Sequence, residues 1–564
     1  MKTFLHAVSA VLLLSACGQA MTPAAPSVAS VEGWCFSGGP IHTADDLRPR
    51  AEAVAVVGET IAYVGAAEGD WCPDGAATYD LAGAALYPGL TDAHAHLIGI
   101  GAREMELDLS GVTSVTELQD AVREVARDLP VGETIHGDGW IETHWPEGRF
   151  PTRDDLDAVT TDHPVVLQRA DGHASVVNSL ALERAGIDEM TEAPFGGAIN
   201  RRDDGRADGM LIDKAQDLVA DLVPKMDAAG RERAYRLGAE VYASRGWTNM
   251  HSMSVDRDDI ELINRMASDG DIGIRVYNSI GVPERRPGER VRTMRGGLSA
   301  GAPTVVTRAV KLYADGALGS RGAALIEPYA DDPDNHGLMT LERDRALPIF
   351  QSALRNGIQV NTHAIGDRGN KEVLDWYEEA FATVPRGEWA VAEPRWRIEH
   401  SQILDPADIP RFRELGVIPS MQPSHAIGDL HFAVDRLGPD RLTGAYAWRA
   451  LIDSGVVIAG GSDAPVEVGD PRIELHAAMS RTDLSGYSNE DWNVDQRVTP
   501  QEALKMFTLW PAYASFQEDK LGSIEVGKKA DFSVFDRDML DPGIEPMDAE
   551  AVMTMVNGVV IWSR

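Results

Sequence analysis

The segment Asp92-Ala93-His94-Ala95-His96 follows an apolar run over 81–87 and the turn Pro88-Gly89. Side chains alternate along an extended chain, so two histidines separated by a single residue point to the same side. Two imidazoles aimed at one point from the mouth of a buried strand suggest a metal site. Four later residues, Lys311, His363, His400 and Asp463, each stand near the end of a separate strand-like run. Nitrogen and oxygen donors delivered by different strands fit zinc or a similar divalent ion.

Such donors need a scaffold that brings many strand ends together. The middle of the chain alternates apolar strand runs with helical patterns, as βα units require. Strands are expected over 85–91, 164–169, 247–251, 304–312, 358–362, 395–399, 417–421 and 456–460. Eight is the number for a closed barrel, whose chemistry sits at the C-terminal strand ends. Helices are expected over 117–129, 230–245, 258–268, 343–356, 371–381 and 405–414. Both chain ends read as short strands with tight turns. A hairpin is expected over 51–65, and another over 552–562 around the favoured Asn557-Gly558 turn. Together they suggest one small β domain assembled from both termini.

Several residues have two readings. Lys311 lies in the apolar run Ala309-Val310-Lys311-Leu312, where an ammonium is costly to bury. Carboxylation would turn it into an anionic oxygen ligand able to bridge two metals; snorkelling or pairing with Asp315 are the alternatives. His173, in Ala170-Asp171-Gly172-His173, comes after the expected second barrel strand and is a candidate hydrogen-bond donor to a developing oxyanion, or a cap for the next helix. His251 ends the third expected strand and either lines the pocket, ligates a metal or is structural. The glycine-rich, aromatic loop 137–148 offers Trp140, Glu142, His144 and Trp145 for substrate contact, or packs as a surface insertion. Arg321 could hold a carboxylate or carbonyl oxygen, or pair with Glu327 or Asp315. Gln422, Pro423 and His425 come after the seventh expected strand and face the same mouth. Asp367 caps a helix or orients a ligand.

These stretches carry a family resemblance. Pro88-Gly-Leu-Thr-Asp-Ala-His-Ala-His96, Lys311-Leu-Tyr-Ala-Asp-Gly-Ala-Leu-Gly-Ser-Arg321, Asn361-Thr-His-Ala-Ile-Gly-Asp367, Arg397-Ile-Glu-His-Ser-Gln402 and Gly461-Ser-Asp-Ala-Pro465 resemble the amidohydrolase superfamily. Within it they resemble the YtcJ-like branch, which includes N-substituted formamide deformylases. The resemblance runs from about residue 33 to the C-terminus. It implies an α/β fold, a distorted (β/α)8 TIM barrel with a small β-sandwich built from both termini. It places the sandwich at 31–85 and 516–564 and the barrel at 86–515, with insertions near 98–163 and 187–230. It implies His94 and His96 as ligands of one metal with Asp463 near it, His363 and His400 as ligands of a second, and Lys311, carboxylated, as their bridge. One or two divalent ions, most simply Zn, would be the cofactor.

The chemistry implied is hydrolysis. A bound metal supplies hydroxide near neutral pH, Asp463 takes and returns the proton, and His173 is the first candidate donor to the oxyanion. The substrate class is a C–N amide-type bond: an N-acyl or N-formyl amine, an N-acyl amino acid or a small peptide. The same site would serve an esterase, lactonase or carbamate hydrolase. A binding lipoprotein that retains the ligands without turnover is the non-enzymatic alternative.

Composition bounds the setting. The 564 residues, 44% apolar and 25% charged, suffice for a large core, and the net charge of −36 opposes nucleic-acid binding. Met1-Lys2, the apolar stretch 4–14 and Leu14-Ser15-Ala16-Cys17 read as a signal peptide with a lipoprotein cleavage box, Cys17 being lipidated. Residues 18–30 would be a flexible tether, placing the enzyme on the periplasmic side of a bacterial envelope, anchored to the outer membrane. That compartment permits disulfides, and Cys35 and Cys72 are expected to pair. No later stretch reads as a transmembrane helix. A homodimer is the expected assembly.

Overall fold

The structure is a computed structural model that describes residues 33–282, 302–489 and 492–564. Three sheets organise them. The central one is wholly parallel, with strands Leu90–Ala95, Trp247–Val255, Arg275–Gly281, Val305–Tyr313, Gln359–Ala364, Arg397–His400, Ile418–Met421 and Ala459–Gly460 side by side in chain order. Helices such as Ala228–Ser244, Arg343–Asn356, Asp367–Thr383 and Ile409–Leu415 intervene. This is a distorted (β/α)8 barrel of the α/β class. Its strands are buried along nearly their whole length, as expected where helices cover a parallel sheet.

The first and last strands meet without a regular ladder between them. The Asp463 N–H donates to His94 O at 2.6 Å. Fully buried Asp92 accepts from the Ser462 hydroxyl at 2.5 Å, the Ser462 and His94 N–H groups at 3.0 Å each, and the Tyr242 hydroxyl at 2.8 Å. Closure of the barrel is therefore made by the same two segments that carry His94 and Asp463.

Two strand assignments from sequence are corrected. The expected first barrel strand, 85–91, is split at Gly89: Ala85–Pro88 joins the sheet of the chain ends and Leu90–Ala95 opens the barrel. Val165–Arg169 is not the second barrel strand; it lies in a separate six-stranded sheet inserted after the first. That sheet runs in the order Gly197–Arg201, Ala207–Asp213, Ala174–Val177, Val165–Arg169, Ile135–Trp140, Leu107–Asp108. A short apolar run looks the same in any buried strand, so periodicity could not tell the two sheets apart. The barrel strand missed from sequence is Arg275–Gly281, whose polar residues break its apolar pattern. Inside, they meet partners: Arg275 meets Asp531 at 2.5 and 3.0 Å, Tyr277 meets Gln359 at 3.0 Å, and the Asn278 amide N–H meets Thr307 at 3.2 Å.

The third sheet joins both chain ends. Gly33–His42, Arg50–Val57, Thr60–Gly65, Ala77–Asp80 and Ala85–Pro88 share it with Phe532–Phe535, Ala551–Val556 and Val559–Ser563. Ala85–Pro88 and Phe532–Phe535 pair antiparallel at its centre. At Gly89 the chain leaves this sheet for the barrel, passing so close to Thr248 that a Cβ would lie 2.3 Å from its hydroxyl. Asn557 and Gly558, at φ 52° and 75°, form the left-handed hairpin turn their sequence favours. A disulfide links Cys35 to Cys72.

Candidate metal centre

The barrel brings six expected residues to one place at its C-terminal strand ends. His94 and His96 lie at the end of the first strand, Lys311 in the fourth, His363 in the fifth, His400 at the end of the sixth, and Asp463 just past the eighth. One donor atom each from His94, His96 and Asp463 falls within 4.8 Å of the others, and so does one each from His400, His425 and Asp463. Asp463 thus belongs to both groups: its Oδ1 is 3.3 Å from His94 Nε2 and 3.1 Å from His96 Nε2, and its Oδ2 is 3.9 Å from His425 Nε2 and from His400 Nδ1, the nitrogen that also bonds Gln422. Lys311 Nζ lies 3.2 Å from His94 Nε2. Asp463 and His400 hold φ of 64° and 76°, a region non-glycine residues rarely adopt and keep only where surroundings enforce it.

The acceptor behind each ring decides which nitrogen faces the centre. His94 donates from Nδ1 to Glu399 at 2.6 Å, and His400 from Nδ1 to Gln422 Oε1 at 2.9 Å. His363 has its Nε2 3.4 Å from both Gly316 O and Asp315 Oδ1, so its Nδ1 is the nitrogen left for a ligand. This arrangement of an outer acceptor on a ligating imidazole is how metal sites fix ring orientation. Asp315 accepts three backbone N–H groups, from Ala324, Ile365 and Gly366, at 2.8 to 2.9 Å, which ties the loops after the fourth and fifth strands together. Glu399 is further held by buried Arg397, which also donates to Ala93 O at 2.6 Å and Ser420 at 2.7 Å.

The electrostatics suit a cation. Burial, reinforced by Lys311, pushes His94 well below its ordinary value; burial with neighbouring histidines does the same to His363 and His400. Neutral imidazole is the ligating form. Burial acts to raise the Asp463 carboxyl, but His94 and His96 outweigh it and hold the group well below the usual carboxylate range. Burial lowers the Lys311 ammonium to about 8, against the pull of Glu399 and Asp463. Neutral nitrogen donors around an ionised, shared carboxylate fit one or two divalent cations.

A small cavity of about 70 Å³ opens over the centre, lined by His363, His400, His425 and Asp463 from the barrel and by Arg169, Asp171 and His173 from the inserted sheet. His173 approaches His363 with ring centroids 5.0 Å apart. Its Nδ1 donates to Asp213 at 2.6 Å. Burial lowers the His173 imidazole, but the hydrogen bond and charge of Asp213 prevail and raise it to about 8. A second cavity of about 550 Å³ lies beyond this pair, bordered by Gln168, Ser175, Gln216, Tyr313 and Thr340.

Other expected substrate residues do different work. Trp140 and Trp145 are buried in the core of the inserted sheet and donate to Leu167 O and Val112 O at 3.0 Å each. Of the two readings, their burial fits the packing one, since indoles fill cores as readily as pockets. Glu142 binds Arg169 at 2.8 and 3.3 Å, acting one step behind the cavity wall. Arg321 pairs with Asp331 at 2.8 and 3.2 Å, not with Glu327, Asp315 or a substrate position. His251 sits deep in the barrel on Arg397, 2.9 Å away, outside both histidine groups. Gln422 positions His400, and His425 is drawn into the centre itself. Asp367 accepts the Ile326 and Arg368 N–H groups at 2.9 and 2.8 Å at its helix start. Cys17 and the His144 side chain lie outside the described residues. Sequence reasoning missed Asp213, Arg397 and Glu399, and read Asp315 only as an ion-pair partner of Lys311 or Arg321; of the missed residues only Glu399, an acid beside a histidine at a strand end, carried any signal.

Comparison with known proteins agrees with this geometry. A Bacillus subtilis (strain 168) relative, the putative amidohydrolase YtcJ, is 32% identical over 541 residues, covering 94% of this chain and 99% of its own. The N-substituted formamide deformylase of Arthrobacter pascens is 28% identical over 549 residues, 93% of this chain and 97% of its own. The solved structure of an uncharacterized metal-dependent hydrolase from Pyrococcus horikoshii OT3 shares the fold with a TM-score of 0.70 at 24% identity, covering 91% of this chain and 99% of that one. The model of the amidohydrolase family matches residues 77–562, so the strand-end histidines and the shared aspartate belong to a chain of the amidohydrolase family.

Proposed function

We propose that this protein hydrolyses a C–N amide-type bond of an N-acyl or N-formyl amine, an N-acyl amino acid or a small peptide. The observation that carries the reading is Asp463, one ionised carboxylate shared between the His94–His96 and His400–His425 groups. A divalent cation, when bound there, lowers the pKa of water and polarises a carbonyl. His94, His96, Asp463 and His400 would hold it, with His363 through Nδ1. Asp463 takes the proton that water loses as its oxygen attacks the acyl carbon, and returns it to the departing nitrogen. His173, doubly protonated with its Nδ1–H on Asp213, turns Nε2–H to the cavity and donates it to the carbonyl oxygen as negative charge grows there. An amine needs such a proton to leave, which favours C–N cleavage; the formamide deformylase among the relatives supports it too.

Lys311 is the proposed bridge. Addition of CO2 to its neutral amine, with release of a proton, makes an anionic carbamate beside His94, and a lysine lowered to about 8 offers that amine near neutral pH. The Cys35–Cys72 disulfide supports an oxidising, exported setting, with Cys17 as the lipid attachment.

The test is metal content by elemental analysis together with turnover of N-formyl, N-acyl, dipeptide, ester and lactone substrates. One or two zinc ions per chain are expected, with C–N cleavage abolished in His94→Ala and Asp463→Asn. Two ions would support Lys311 as a carboxylated bridge, and a single ion with turnover would count against it. Cleavage of esters alone would replace the amide reading, and protein with neither metal nor turnover would remove the mechanism.

A further inference from the structure

His173 and Asp213 both belong to the inserted sheet, yet both face the barrel. Ala174 and Ile212 pair across neighbouring antiparallel strands, and just beyond them the Asp213 N–H donates to His173 O at 2.8 Å. The backbones therefore hold the two side chains next to each other before any side-chain contact forms. Asp213 stands at φ 47°, ψ −119°, a conformation that L residues rarely adopt. The turn aims its carboxylate at the barrel. Oδ1 takes the His173 Nδ1–H at 2.6 Å, and Oδ2 is buried with no hydrogen-bond partner among the described residues. Oδ2 instead lies against the barrel glycines Gly316 and Gly322, where a Cβ at either position would stand 2.3 Å away. The loop after the fourth barrel strand is thus shaped to admit this one carboxylate.

We propose that Asp213 is a positioning residue that fixes His173 with Nδ1–H on the carboxylate and Nε2 toward the cavity of His363, His400 and Asp463. The inserted sheet then supplies a working part of the active site, seated through the Gly316–Gly322 cradle. The inference rests on the reading of His173 as the carbonyl-oxygen donor, but its test has an arm that does not. An acceptor behind an imidazole sets the ring's angle and keeps a proton on Nδ1, so that a second proton is carried on Nε2 toward the cavity, and its loss leaves substrate binding in place while spoiling the donor's aim.

The full chain, labelled with 15N-histidine, would be compared by NMR as wild type, His173→Gln, Asp213→Asn and Gly322→Ala. His173→Gln identifies the Nδ1–H resonance, and Asp213→Asn is expected to shift or erase it. Gly322→Ala is expected to do the same by displacing the carboxylate while leaving Asp213 in the sequence, which guards against a variant that merely misfolds. On N-formyl and N-acetyl amino acids, Asp213→Asn should lower kcat about 10- to 100-fold with KM little changed, and the Asp213→Asn, His173→Gln double variant should be no slower than His173→Gln alone. An unmoved His173 resonance in Asp213→Asn, or losses that multiply in the double variant, would overturn the proposal. Wild type without turnover would count against the hydrolase reading, and the NMR arm would then decide the Asp213–His173 link by itself.

Discussion

Behind His94, the Glu399 carboxylate holds both the ring N–H and the Arg397 guanidinium, and all three side chains are fully buried. Glu399→Gln removes the charge opposite Arg397, whose other partners are the His251 ring, Ala93 O and the Ser420 hydroxyl, none of them a carboxylate. Stranding a buried cation costs about 3–5 kcal/mol, so chemical denaturation should show a loss of that order. Zinc affinity should fall about 10- to 100-fold with it. Arg321→Ala tests the opposite kind of residue. Its ion pair with Asp331 is partly exposed, so the loss should be about 0–1 kcal/mol with kcat unchanged. Asp429, beside the cavity, gives a pH test. Burial raises its carboxyl to about 7, despite the Tyr446 hydroxyl at 2.6 Å, against about 3.9 in an unfolded chain. The folded state favours the protonated form, so this contribution to stability is complete below about pH 4 and is lost as pH rises through about 7. Asp429→Asn should therefore match wild type near pH 4 and exceed it near pH 8 in urea unfolding.

At the level of elements, the inserted sheet has its own apolar core, and Trp140 with Trp145 lies at its centre, ring centroids 6.1 Å apart. Trp140→Ala should cost about 3–5 kcal/mol through the cavity it leaves. Because His173 and Asp171 ride on that sheet, activity should fall in the variant even where the barrel keeps its metal, which elemental analysis would show. The sequence made the barrel's chemistry legible because ligands cluster in short stretches at strand ends: the His94–His96 pair, Lys311, His363, His400 and Asp463 all converge. It hid the third barrel strand, whose Arg275, Tyr277 and Asn278 look like surface residues until Asp531, Gln359 and Thr307 are brought to them from far along the chain. It hid Asp213 for the same reason. Nothing in Met210-Leu211-Ile212-Asp213 marks an acid whose partner is forty residues away, and the aromatic loop around Trp140 looked like a pocket because its packing partners could not be seen.

Across the whole molecule, the fold joins distant parts of the chain. The terminal sheet is pinned by the Cys35–Cys72 bridge, at a sequence separation of 37, and by pairing of Ala85–Pro88 with Phe532–Phe535. Cross-linking a loop of that length stabilises by about 3–4 kcal/mol in the chain-entropy account. Cys35→Ser should lower the unfolding midpoint accordingly in oxidising buffer, while under reducing conditions the variant and wild type should converge. Among the described residues no helix is long and apolar enough to cross a membrane.

The seam between the first and last barrel strands has a consequence for synthesis. His94 and Asp463 meet across 369 residues, counted as 463 minus 94, and Trp34 reaches Gly558 O across 524. A nascent chain cannot close its barrel until Asp463 has left the ribosome, nor fill its terminal sheet until almost its last residue has. Contacts so far apart in sequence form slowly. The topology leaves the centre unassembled, and the protein without its shared carboxylate, until the segment carrying Asp463 has been made.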